Sequence, residues 1–64
     1  MWTTVHVATG KKWALEIEEK LKKEGFLVKI KYFATEGVEE MYEILAPSFE
    51  AEDVQSAMFE MGIL

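Results

Sequence analysis

The sequence predicts an α+β domain of element order β-α-β-β-α, and three observations carry that expectation. Two stretches alternate with the period of two that belongs to a strand, WTTVHVA at residues 2 to 8 and FLVKIKYF at 26 to 33. Two others, residues 11 to 24 and the run before Gly62, repeat their apolar positions with a helical period. Gly25, Gly37, Pro47 and Gly62 fall at the joints.

The first strand is rich in β-branched and aromatic residues, with Thr3, Val5 and Val7 on one face and Trp2, Thr4 and His6 on the other. From Lys11 to Glu24, Trp13, Ala14, Ile17 and Leu21 form one stripe, which leaves Leu15 outside it. Glu16 to Lys20, Glu18 to Lys22 and Glu19 to Lys23 are Glu-before-Lys pairs at the favourable spacing. Thr9 is placed to act as N-cap, and Gly25 to take the left-handed position that ends a helix, with Phe26 folding back onto it.

In FLVKIKYF, Phe26, Val28, Ile30 and Tyr32 share a face, and Leu27, Lys29, Lys31 and Phe33 share the other. Residues 34 to 38 read as a hairpin loop around Gly37, followed by a third strand from Glu39 to Ala46 with Tyr42 and Ile44 facing the core. Pro47 ends it. Ser48 or Phe49 opens the second helix, whose Glu50, Glu52 and Asp53 suit the positive end of the helix dipole. Its apolar stripe is Val54, Ala57, Met58 and Met61.

At 64 residues the chain is read as a single domain, residues 1 to 64, with one core, because so short a chain buries only about 60% of the surface it exposes unfolded. Zero cysteines exclude a disulfide framework and a thiolate metal site, and a single histidine excludes an imidazole cluster. Seven lysines, no arginine and twelve acids give a net charge of -5, which argues against a nucleic-acid binder. Neither a signal peptide nor a run of roughly 18 apolar residues is present, so a cytoplasmic protein is expected.

The element order implies a three-stranded antiparallel sheet with both helices on one face and the third strand between the other two, a ferredoxin-like arrangement lacking its last strand. The first strand is then a free edge. It carries no lysine, proline or bulge signal, whereas the second has Lys29 and Lys31 as guards. The open face gathers Trp2, Thr4, His6, Leu27, Phe33, Met41 and Leu45 as candidate interface residues. If each of Trp2, Leu27, Phe33, Met41 and Leu45 hides roughly 60 to 100 Å², at about 25 cal/mol per Å² the gross gain is roughly 8 to 12 kcal/mol. A homodimer or another protein partner is therefore expected, and a titrating His6 there would make assembly sensitive to pH.

The segments MWTTVHVA, EGFLVKI, YEILAP and EAEDVQSA resemble a small bacterial family described as prokaryotic signal-transducing proteins, related in fold to the PII-like regulators. The resemblance spans nearly all of residues 1 to 64 and implies the same fold and a regulatory role. It brings no catalytic residues. Some similar sequences carry the name glutamate decarboxylase, which is set aside because a pyridoxal-phosphate enzyme needs a large scaffold around its Schiff-base lysine.

The turn after the first strand raises a second candidate. A P-loop would need glycine where Val5 stands and a hydroxyl residue where Lys12 stands, so the turn is not one. Lys11 and Lys12 nonetheless oppose the dipole in the first turn of a helix, at roughly 0.3 to 1 kcal/mol each, and Thr9, Gly10, Lys11 and Lys12 form a candidate site for a small anion such as a phosphate or carboxylate metabolite. The acidic run Glu36, Glu39, Glu40 and Glu43 lacks calcium-loop spacing. Ser48 and Ser56 lack partners for nucleophilic chemistry, so the chain is read as non-enzymatic, with no cofactor and no metal.

Overall fold

A computed structural model describes all 64 residues, Met1–Leu64. Its elements are β1 (Trp2–Thr9), α1 (Lys11–Lys23), β2 (Lys29–Glu36), β3 (Glu39–Pro47), a 3-10 turn (Ser48–Glu50) and α2 (Ala51–Glu60). The strands form one antiparallel sheet of order β1-β3-β2. The predicted α+β architecture is present, with β1 and β2 as edges.

Tyr42, Ile44 and Ala46, alternate residues of β3, enter a single apolar cluster with Val5 and Ala8 of β1, Ala14, Ile17 and Leu21 of α1, Val28, and Val54 and Met58 of α2. Both helices therefore cover the same face. Leu45, between Ile44 and Ala46, is buried outside that cluster, on the opposite face. Trp13 stands at the border of the α1 stripe, partly exposed, with Lys20 Nζ 5.8 Å from its ring.

Both helices end as their glycines predict. The N–H of Gly25 (φ 91°) donates to the Lys22 carbonyl at 3.0 Å, and that of Phe26 to Leu21 at 3.1 Å, the paired bonds of a Schellman motif. Gly62 and Ile63 repeat the pattern on Phe59 and Met58. Phe26 and Ile63 then pack on the core.

The start of α1 differs from expectation. Thr9 remains in β1 and donates its hydroxyl to the Met41 sulfur at 3.4 Å, while Gly10 takes the N-cap position. The start of α2 also differs, since a 3-10 turn precedes the α-helix. Ser48 is its anchor: its N–H and hydroxyl both donate to the Met1 carbonyl, at 2.7 and 3.0 Å, and its oxygen accepts from the Thr3 hydroxyl at 2.6 Å.

Two boundaries shift in the hairpin. Phe26 is held by the Schellman motif, so β2 begins at Lys29 rather than at 26, and it runs on to Glu36 through residues expected to be loop. Only Gly37 and Val38 remain in the turn, with a positive φ of 64° at the glycine alone, the pattern of a type II′ hairpin. Residues 35 to 40 are all exposed, so no buried face imposes an alternation that the sequence could display.

Each edge strand carries a bulge. On β1, Thr4 pairs with Leu45 and His6 with Ile44, leaving Val5 as the extra residue. On β2, Tyr32 pairs with Tyr42 and Ala34 with Met41, leaving Phe33. The first bulge reverses the predicted alternation: Val5 and Ala8 are buried, while Val7 is 39% exposed opposite Glu43. His6, expected on the open face, pairs with Ile44 on the helix-covered side and is half-buried.

Candidate functional site

The open face is built from rows of side chains that the two ladders bring side by side. Trp2 faces Pro47; Thr4, Leu45 and Lys29 form the next row; Val7, Glu43 and Lys31 the third; Thr9, Met41 and Ala34 the fourth; and Glu39 with Glu36 the last. At the Trp2 end, β1 and β2 meet above β3: the Lys29 ammonium lies 4.1 Å from the centre of the Trp2 ring. The row beneath that contact holds Leu45, which is only 8% exposed although no helix covers it.

Of the expected interface residues, Trp2, Thr4, Met41 and Leu45 do share this face. Leu27 lies just ahead of β2 and is 60% exposed, and Phe33 stands in the β2 bulge at 58%. His6 leaves the set, as described, and Leu45 has little surface left to offer a partner. Val7 joins it. Sequence alternation assigned Val7 to the core, and the bulge that turns it outward leaves no mark in residue type. Phe49 and Phe59 are also exposed, on the helical side of the molecule.

The expectation that the β1 edge is unguarded needs correction. The bulge at Val5 interrupts it, and the Gln55 side-chain amide, reaching from α2, donates to the Val5 carbonyl at 3.3 Å. A bulge and an occupied carbonyl are both devices that discourage strand addition. No apolar or charge pattern in the sequence singles out Gln55 for this task.

At the turn, Lys11 and Lys12 are exposed, and Thr9 and Gly10 precede them. The Gly10 N–H donates to the Glu40 carbonyl at 2.7 Å, and the Thr9 hydroxyl is taken by Met41. Neither Lys11 nor Lys12 is ion-paired, the two i,i+4 pairs of α1 being Glu18–Lys22 and Glu19–Lys23 further along the helix. The Glu40 carboxylate accepts the Tyr42 hydroxyl at 3.2 Å. Burial, and then this negative neighbour, push the Tyr42 hydroxyl above its ordinary titration range.

No three histidine or carboxylate side chains converge as a metal would require, and no pocket opens on the surface. No helix is long and apolar enough to cross a membrane. Comparison with protein-family models, curated proteins and solved structures finds no match to the chain.

Proposed function

We propose that this protein is a small non-enzymatic regulatory module of the cytoplasm that docks a protein through the open sheet face, strand β1 included. The observation that carries the reading is the division of the sheet: its one core lies wholly under the helices, while Trp2, Val7, Leu27 and Phe33 stay exposed on or beside the other face. A contiguous apolar patch with a polar rim is the mark of an interaction surface, and these four side chains supply the apolar part of one, while Phe49 and Phe59 stand singly on the helical side. A signal-transducing role, which the family resemblance implies, fits a domain that acts by being bound.

A photo-reactive amino acid at Leu27 or Phe33, compared with one at the solvent-facing Lys12 of α1, tests this in living cells. Specific adducts from the open-face positions alone are expected. Adducts that form equally from Lys12, or from neither, would sink the reading. The alternative, an anion sensor at Thr9 to Lys12, draws less support, because the Gly10 N–H is occupied by the Glu40 carbonyl and the Thr9 hydroxyl by Met41. Movement of the Lys11 and Lys12 amide resonances on titration with phosphate would restore it.

A further inference from the structure

We infer that the occupant of the open face is a second copy of this chain, stacked face to face about a two-fold axis that crosses the strands. The inference rests on the docking reading above and adds the partner. Its basis is the distribution of charge along the face. Lys29 lies toward the Trp2 end, Glu36 and Glu39 at the hairpin end, and Lys31 and Glu43 share the neutral row between them. The Leu45 and Glu39 rows are separated by about 20 Å at roughly 3.3 Å per residue.

A surface positive at one end and negative at the other is self-complementary when a copy is turned end for end. A two-fold axis crossing β3 near Tyr42 superposes the Leu45 row on the Glu39 row, so that Lys29 of each copy faces Glu36 of the other. The same operation lays the Lys31–Glu43–Val7 row against Ala34–Met41–Thr9. The opposition of Glu36 to Glu39, two like charges directly across a ladder and unfavourable in one molecule, is then relieved by a lysine from the second copy.

The rest of the molecule agrees with stacking and disfavours edge pairing. Glu50, Glu52, Asp53 and Glu60, with no lysine among them, sit on the 3-10 turn and α2, in the layer away from the open face. Stacking keeps these acids far apart. Pairing β1 with β1 would instead bring two such helices together, because α2 lies close enough to β1 for Gln55 to reach Val5, and it would have to accommodate two bulges.

Sedimentation equilibrium over a concentration series tests the arrangement. The wild-type chain should pass from single to double mass. The variants Lys29→Glu/Lys31→Glu and Glu36→Lys/Glu39→Lys should each lose the dimer, and mixing the two should restore a mixed dimer. The Glu36→Lys/Glu39→Lys pair, on an exposed hairpin tip, leaves the core untouched, and its amide spectrum verifies the fold. It therefore decides the matter alone should the lysine variant unfold. A wild-type chain that keeps single mass throughout, a dimer indifferent to both charge reversals, or folded variants that fail to combine would overturn the inference. A single-mass chain that still forms open-face adducts with a different protein overturns the second copy and leaves the docking reading standing, whereas absence of open-face adducts removes both.

Discussion

Ile44 and Leu45 are neighbours on the central strand, both are buried, and they are buried by different means. Ile44 lies in the cluster shared by β1, β3 and both helices and is wholly inaccessible. Leu45 lies on the other face, where the side chains at hand are Thr4, Lys29 and the Trp2 ring under the lysine. Close packing on every side and a thin cover on one differ in what a partner could exploit: only the second can be replaced by another molecule without unfolding the first.

The largest expected effect follows from that difference. Ile44→Ala should cost about 3 kcal/mol, in the range of large-to-small changes where the cavity cannot collapse. A domain of this length holds only about 3 to 10 kcal/mol in total, so urea denaturation should show a substantial unfolded population in the variant. Leu45→Ala should cost less than half as much, because neighbouring side chains are free to settle over the gap. Equal losses would break the distinction between the faces.

Trp2→Ala comes next, at about 1 to 2 kcal/mol, since it removes a large ring from the row opposite Pro47, next to Leu45, and abolishes the contact with Lys29. Lys29→Met keeps the stem and removes the charge, and should cost about 0.5 to 1 kcal/mol, the worth of an exposed cation–π contact. Thermal denaturation of both variants checks the order. A Lys29→Met variant as unstable as Trp2→Ala would show that the charge, rather than the apolar ring, carries the effect.

The same comparison explains what could be read in advance. α1 was legible because three kinds of signal agree along it: the stripe of Ala14, Ile17 and Leu21, the Glu-to-Lys pairs, and the closing Gly25. The strand order was legible from the element order alone. The bulges were not, because one extra residue reverses alternation without any change in composition, and Val7 and His6 were assigned to the wrong faces for that reason. Thr35 and Glu36 at the hairpin tip carry no strand signal because no buried face writes a pattern onto these exposed residues. At the candidate site, residue types located Trp2, Met41 and Leu45 on the open face, but the Trp2–Lys29 contact next to Leu45 depends on register, which the sequence does not display.

Where the two faces meet, at the β1 edge, Gln55→Ala should cost about 1 kcal/mol by leaving the Val5 carbonyl without its donor. Denaturant midpoints measure the loss, and a value indistinguishable from wild type would mean that water replaces the amide without penalty, so that the edge is less guarded than the geometry implies.

The smallest effect concerns the rim of the covered face. Tyr42 belongs to the core through its ring, which stands edge-on to Tyr32 with centroids 5.8 Å apart, while its hydroxyl reaches the Glu40 carboxylate. Burial first, and Glu40 second, raise its titration above the ordinary 10.0, so the folded chain binds the hydroxyl proton more firmly than the unfolded chain does. Below pH 10 both states keep the proton and the difference has no effect. As pH climbs above 10 the unfolded tyrosine releases its proton first, and stability falls until the folded-state value is passed. Tyr42→Phe removes this contribution, so melting temperature should decline less steeply with alkali in the variant than in wild type. Parallel declines would mean that water already reaches the hydroxyl, and the covered face would then end at Ile44, one turn of the pleat short of where its apolar cluster places it.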